Sequence, residues 1–111
     1  MILPNYGAGS SVAGIRRTAE LAEELGYDSV WVTEHIIVGP EGVDPYGRVY
    51  DPLVTLGWIA GWTERIGLGT SIVLVPLHHP MHLAKEVATL QELSGGRVTL
   101  GLGMGWHEPE Y

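Results

Sequence analysis

Apolar positions along the chain recur at helical spacing in three segments, which predicts three helices. The first spans residues 11–25, the second opens at Asp51-Pro52, and the third opens at Pro80. Asp can cap free backbone amides and Pro suits the first helical turn. The apolar face of the first helix is formed by Val12, Ile15, Ala19 and Ala22, and that of the third by Leu83, Val87 and Leu90. Glycine suits the position beyond a helix end, so we expect these helices to end at Gly26, Gly67 and Ser94-Gly95-Gly96.

Short runs rich in β-branched and apolar residues lie between the helices and predict four strands. They cover residues 2–5, 29–33, 68–75 and 98–102. The second run lacks clean polar alternation, which is typical of a parallel strand covered on both faces, and Trp31 is expected to be buried in it. Residues 36–50 are rich in Gly and Pro and predict a long loop.

The alternation of strands and helices predicts right-handed βαβ units and a parallel sheet. The later strands start near residues 29, 68 and 98. A (β/α)8 barrel of about 250 residues averages about 31 residues per unit, which is close to this spacing. We therefore predict an α/β fold in which residues 1–111 form a single domain, the first four βα units of a TIM (β/α)8 barrel.

The composition excludes several function classes. The 111 residues include six Lys and Arg and thirteen Asp and Glu, a net charge of −7, so binding to nucleic acid or to an anionic membrane is not expected. There is no Cys, which excludes disulfides, thiolate metal sites and cysteine nucleophiles. With neither an apolar run of roughly 18 residues nor a basic leader, the sequence favours a cytoplasmic protein that acts on a small molecule.

Ligands of parallel α/β folds gather at the carboxyl ends of the strands, which directs attention to four short segments. They are residues 5–7, 34–35, 71–79 and 103–107. His35 directly follows the second strand, where an imidazole can exchange a proton near neutral pH. Of the four tryptophans, Trp106 is the one placed at such a strand end.

Three histidines at the start of the third helix support an alternative reading. His78 and His82 are four residues apart, a spacing that can ligate a metal from one helical face, and His79 lies between them. The alternative is a metal-dependent TIM-barrel hydrolase. The cluster contains no Asp or Glu and no HExxH motif, so no metal ligands are assigned.

Alternating glycines at Gly101, Gly103 and Gly105 do not fit a dinucleotide fingerprint. That fingerprint needs G-x-G-x-x-G at the start of a helix. Glycines that alternate within a strand instead remove the side chains from one face, so a flat ligand can approach the backbone, or another element can pack closely there.

Four stretches of the sequence resemble the luciferase-like monooxygenase superfamily. They are residues 24–35, 65–72, 93–98 and 101–106, followed by Glu110-Tyr111. The last stretch is similar to the deazaflavin-dependent branch, and Ile36 replaces the second of the paired histidines common in bacterial luciferase-type chains. The resemblance implies a (β/α)8 barrel that uses coenzyme F420, or alternatively FMN, for monooxygenation or hydride transfer on a small organic substrate.

The resemblance also implies roles for individual residues. His35 matches the histidine near the reactive ring carbon, and Glu34 matches its acidic partner. Ser71-Ile72 matches a bulge with a non-proline cis peptide behind the ring. Gly103, Met104 and Gly105 match the segment beside the cofactor, and Trp106 is placed with them. The resemblance further implies that the full-length protein forms a homodimer.

About four strands are predicted, whereas the barrel needs eight. We therefore expect the sequence to be the N-terminal part of a longer protein. A second alternative is a non-catalytic half-barrel that associates with itself.

Overall fold

The computed structural model describes residues 1–39 and 43–111. Its helices are α1 (Val12–Glu24), α2 (Val43–Tyr46), α3 (Pro52–Ala60) and α4 (Pro80–Leu93). Its strands are β1 (Ser29–Val32), β2 (Gly67–Thr70), β3 (Val73–Leu74), β4 (Val98–Thr99) and β5 (Leu102–Gly103). Single 3₁₀ turns cover Val75–Leu77 and Glu108–Glu110. Within the described residues, no helix has both the length and the apolar character needed to cross a membrane.

The strands pair in parallel, as predicted. β2 lies between β1 and β4 in a three-stranded sheet. β3, which follows β2 in the sequence, pairs with β5, which follows β4, in a separate two-stranded sheet. Ser29 aligns with Gly67, and Leu68 with Val98. The predicted first strand appears as a single parallel bridge, from Ile2 to Trp31. The order of elements and the parallel pairing make this an α/β fold.

Two predicted strands are each divided in two. The third run breaks after Thr70 and resumes at Val73, and the fourth breaks after Thr99 and resumes at Leu102. Across the second break, the Val73 backbone N–H donates to the Gly101 carbonyl at 2.8 Å. Both interruptions lie at the same level of the sheet, so the two strands bend together and their last residues form a separate pair.

The helices begin where the sequence predicts, but the second ends earlier. Ser11 and Asp51 accept hydrogen bonds from Gly14 and Val54 backbone N–H groups and cap α1 and α3. The prediction that Gly67 ends the second helix is wrong, because α3 ends at Ala60 and Gly67 opens β2. The predicted loop over residues 36–50 contains the short helix α2, and its Pro40 and Gly42 lie outside the described residues.

The main core lies between the sheet and the helices. It is formed by one face of β1 and β2 with α1, α3 and α4, through residues that include Ile15, Ala19, Val30, Val32, Leu56, Ile59, Leu68 and Leu90. Val12, predicted on the buried face of α1, is 56% exposed because it lies in the first turn.

Burial along β1 alternates, which corrects the expectation of a strand covered on both faces. Val30 and Val32 are fully buried against the helices, whereas Ser29 and Trp31 are only half-buried. The Trp31 ring lies on Gly69 of the neighbouring strand, where any side chain would collide with the indole. The face of the sheet away from the helices is therefore apolar and partly open.

Two charged side chains fix the segments between helices and strands. Arg97 donates to the carbonyl oxygens of Ala60, Thr63, Ile66 and Ser94 at 2.6–3.1 Å, and so satisfies acceptors beyond the end of α3. Glu23, near the end of α1, accepts hydrogen bonds from the backbone N–H groups of Glu64, Arg65 and Ile66. Burial alone would raise the pKa of Glu23, but these three N–H groups, together with the Arg65 charge, hold it below the ordinary value.

Candidate active site

The carboxyl ends of the strands bring several predicted site residues to one edge of the sheet. A cleft of about 110 Å³ there is lined by Tyr6, Thr33, Tyr46 and Ser71, among others. The Tyr46 ring also lies 4.3 Å, centroid to centroid, from the His35 imidazole. Tyr46 thus connects the end of β1, which carries His35, with the break in the third strand at Ser71.

His35 is held by a buried carboxylate at the far end of the chain. Its Nδ1 lies 3.1 Å from both oxygens of Glu110, and the Ile36 backbone N–H donates to Glu110 Oε1 at 2.9 Å. The two side chains are 7% and 1% exposed. A carboxylate accepts hydrogen bonds, so Nδ1 carries the proton in this contact and Nε2 is the nitrogen that remains for a ligand.

Aromatic rings surround the His35 imidazole. Tyr46 stacks on it at a tilt, and Trp106 approaches it edge-on with ring centroids 5.9 Å apart. His107 lies behind them, 5.3 Å from Trp106, and is buried. Trp106 itself is 70% exposed, so it forms the outer wall of this cluster.

Glu34, the neighbour of His35, faces the other way. Its carboxylate accepts hydrogen bonds from the Leu74 backbone N–H at 2.6 Å and lies 2.9 Å from Nε2 of His78. The Glu34 side chain is 2% exposed. The resemblance implied that Glu34 is the acidic partner of His35, but in the structure Glu110 contacts His35, while Glu34 contacts the segment that follows Ser71-Ile72.

The peptide bond between Ser71 and Ile72 is cis, as the resemblance implied. The Ser71 backbone N–H donates to the Val32 carbonyl at 2.7 Å, which ties this bond to the end of β1. Ile72 packs on Gly103, and a side chain at Gly103 would collide with it. A side chain at Gly101 would collide with the Thr70 carbonyl oxygen. The alternating glycines therefore allow the bent third and fourth strands to lie against each other.

The residues predicted to contact a cofactor lie around this bond and differ in exposure. Ser71 is exposed, Met104 is 71% exposed, and Ile72 and Gly103 are half-buried. Gly105 has a φ of 77°, which favours glycine, and the Tyr111 hydroxyl donates to the Met104 carbonyl beside it. This edge thus offers accessible apolar and backbone surface next to His35.

The three histidines of the predicted cluster separate in the structure. His78 turns inward to Glu34, whereas His79 and His82 are exposed and lie 4.9 Å apart, centroid to centroid. Among the residues that the structure describes, no group of three or more His, Asp or Glu side chains could hold a metal ion. The histidine spacing that suggested a hydrolase reflects instead a turn at the start of α4.

Sequence reasoning missed three contributors to this site. Glu110 belongs to the stretch that carried the resemblance, but no role was assigned to it. His78 lies in the strand-end segment 71–79 and in the candidate metal cluster, but its pairing with Glu34 was not predicted, and Tyr46 lies in a segment predicted to be a plain loop. Each acts through a partner about 10 to 75 positions away in sequence, and pattern analysis of local segments gives no signal for such pairs.

Comparison with known proteins identifies the family of this chain. The family model for luciferase-like monooxygenases matches residues 2–111. An uncharacterised protein from Mycobacterium tuberculosis (strain ATCC 25618 / H37Rv) is 40% identical over 105 residues, which cover 83% of this chain and 37% of that protein.

Two solved structures share the fold. The oxygenating constituent of 3,6-diketocamphane monooxygenase from Pseudomonas putida, in complex with FMN, superposes with a TM-score of 0.81 at 24% identity over 98% of this chain and 30% of its own. The coenzyme F420-dependent tetrahydromethanopterin reductase from Methanopyrus kandleri gives a TM-score of 0.71 at 26% identity over 96% and 26%. The chain spans about a third or less of the length of these proteins. With its family match running from residue 2 to residue 111, it belongs to the luciferase-like monooxygenase family.

Proposed function

We propose that this chain supplies the proton-exchanging part of the active site of an oxidoreductase that uses a reduced flavin or deazaflavin on a small organic substrate. One observation carries the proposal: His35, at the carboxyl end of β1, is oriented by the buried Glu110 carboxylate and flanked by the Tyr46 and Trp106 rings. FMN and F420, the cofactors named for the two similar solved structures, are the two candidate cofactors. We favour F420, because the sequence of residues 101–111 is similar to the deazaflavin branch.

The residues present fit a planar cofactor. Ser71, Met104 and Trp106 are exposed, and Gly103 allows Ile72 to pack directly on its backbone next to the Ser71-Ile72 bond. These residues would hold the ring system. When bound, the ring supplies the reducing equivalents for the reaction.

The chain's own groups would then control the proton. His35 Nε2 gives a proton to the substrate or takes one from it, because Nδ1 is engaged with Glu110. Tyr46 and Trp106 cover the imidazole and limit access of water. Glu34 is a positioning residue in this scheme, since it accepts a hydrogen bond from the backbone of Leu74, two residues after Ile72.

We also propose that the strands belong to a (β/α)8 barrel. A groove of about 460 Å³ along α4 and β4 is lined by apolar side chains that include Leu83, Val87 and Val98. A following βα unit would cover such a groove, as in parallel folds whose sheets are buried on both sides. The homodimer and the cytoplasmic location stay predictions.

The test uses the protein expressed from the complete coding sequence. It is titrated separately with oxidised FMN and oxidised F420, and binding is followed by the change in cofactor fluorescence. We expect saturable binding of one of them, and His79→Asn, an exposed histidine outside the site, should bind it equally well. Absence of saturable binding by either cofactor would contradict the proposal.

A further inference from the structure

A second, more polar cleft opens beside His35. It has a volume of about 330 Å³ and is lined by His35, Tyr46 and Arg48, together with Ile36, Val38, Gly47 and Val49. Among the described residues that line it, Arg48 carries the only full charge at neutral pH. The candidate proton-exchanging residue and a cationic side chain therefore face the same space.

The Arg48 side chain is exposed and contacts Tyr50. Its Nη2 donates to the Tyr50 hydroxyl at 2.6 Å, and its guanidinium lies 5.3 Å from the centroid of the Tyr50 ring. The Arg48 backbone is fixed, because its carbonyl accepts from the Gly7 N–H at 3.0 Å, and Val49 pairs with Tyr6. The bond to Tyr50 uses one of five guanidinium donors, so the others can meet a planar anion.

Arg48 differs from Arg16, Arg65 and Arg97 in the groups that it contacts. Arg16 contacts the Glu20 carboxylate, while Arg65 and Arg97 donate to carbonyl oxygens at helix ends. Those arginines satisfy acceptors of the fold itself. Arg48 contacts the hydroxyl and ring of Tyr50 rather than a carboxylate or a carbonyl oxygen, so its positive charge is available to a ligand.

We propose that Arg48 binds an anionic group, a carboxylate or a phosphate, of the ligand whose reacting atom lies at His35. This inference rests on the proposed function for the role of His35. The anion can come from two sources: the substrate, which would then be a small organic acid, or the phosphate-bearing tail of the cofactor. A planar anion would accept two parallel hydrogen bonds from the guanidinium, which fixes both its distance and its orientation relative to His35.

The test compares two probes of equal size and different charge, benzoate and benzamide, on the cofactor-free product of the complete coding sequence. Binding is followed by NMR through the imidazole C2–H signal of His35, which is assigned by its loss in His35→Asn. We expect benzoate to shift this signal in a saturable way and benzamide to leave it unchanged. Arg48→Met should weaken benzoate binding by about ten- to one-hundred-fold, the effect of removing hydrogen bonds to a charged group.

Two further variants control for folding and for net charge. Arg48→Lys retains the charge but loses the planar fork, so it should fall between the wild type and Arg48→Met. Arg17→Met removes an exposed cation from α1 and should bind benzoate like the wild type. Unchanged benzoate affinity in Arg48→Met, or an equal loss in Arg17→Met, would overturn the proposal.

Cofactor titrations of the same variants distinguish the two sources of the anion. If Arg48→Met weakens benzoate binding but binds FMN or F420 normally, the anion belongs to the substrate. If it also weakens cofactor binding by a similar factor, the anion belongs to the cofactor. Should the wild type bind benzoate through Arg48 but neither cofactor, the proposed function fails while the anion site stands. Should it bind a cofactor but show no saturable response to benzoate, the anion site alone fails.

Discussion

Two carboxylate–imidazole contacts begin at neighbouring residues and have opposite surroundings. Glu34 continues the helix-facing side of β1 and meets His78 between the sheet and the helices. His35 continues the other side and meets Glu110 under a cleft. The His78 side chain is 18% exposed and lines a groove between α3 and α4, whereas the His35 side chain is 7% exposed and lines the cleft that also contains Arg48. Both pairs contain the same chemical groups, so the proposed catalytic role of His35 rests on its position beside Tyr46, Trp106 and this cleft.

The largest expected effect is on turnover at His35. His35→Asn in the cofactor-loaded product of the complete coding sequence should lower kcat by about 100- to 10,000-fold, the usual contribution of a general acid or base. Cofactor affinity should stay unchanged. His78→Asn is the matched control, because it removes the imidazole of the other contact. It should lower the free energy of unfolding but leave kcat nearly unchanged. Equal loss of kcat in both variants would contradict the distinction between the two contacts.

Glu34 should show the opposite pattern, with a large effect on stability. Glu34→Ala leaves the Leu74 N–H and His78 without their acceptor in a buried place, so the free energy of unfolding should fall by about 3 kcal/mol. Chemical denaturation followed by circular dichroism measures it. Glu34→Gln retains an acceptor for Leu74 and should lose less. If Glu34→Ala is as stable as the wild type, the contact is not the structural connection described here.

Glu110 should affect turnover by an intermediate amount. Glu110→Gln keeps the shape but weakens the hold on His35 Nδ1 and the Ile36 N–H, so the imidazole loses its fixed orientation. We expect kcat to fall by about ten- to one-hundred-fold, the cost of a small misplacement of a catalytic group, with cofactor affinity unchanged. Glu108→Gln, an exposed carboxylate in the same 3₁₀ turn, is the control and should have no effect.

The sequence predicted the helix starts and the parallel pairing well because local signals specify them. Asp51 and Pro52 fix the start of α3 through groups a few residues apart, and Gly95 and Gly96 follow α4 with positive φ. The divided strands could not be read in the same way. Their breaks depend on Gly101 and Gly103 accommodating the Thr70 carbonyl and the Ile72 side chain, which are 31 residues away.

In the candidate site, too, local features were predicted from the sequence and contacts between distant residues were not. The position of His35 at a strand end follows from the order of elements, and the cis bond at Ser71-Ile72 followed from family resemblance. The pairing of His35 with Glu110 spans 75 positions, and no periodicity reports it. One available signal was overlooked: successive residues of a strand face opposite sides, which already argues against Glu34 and His35 acting on the same group.

A third carboxylate sharpens the comparison, because Glu23 meets backbone N–H groups rather than an imidazole. These N–H groups lower its pKa despite the opposing effect of burial, so its ionised form stabilises the folded state. Its contribution is complete above the pKa of an unfolded glutamate, about 4.3, and is lost as the pH falls through the lower pKa of the folded state. Since solvent screens this site, we expect less than about 1 kcal/mol.

Thermal unfolding between neutral pH and about pH 3 checks this last expectation. Glu23→Gln should be less stable than the wild type at neutral pH, and the difference should shrink at the acidic end, where the wild-type carboxylate is protonated. Glu24→Gln, an exposed carboxylate on the same helix, should follow the wild type throughout. A difference that stays constant down to pH 3 would mean that the shape of the Glu23 side chain, and not its charge, holds α1 to the start of β2. In that case Glu23 would act on backbone geometry alone, unlike Glu110 and Glu34, which contact the imidazoles of His35 and His78.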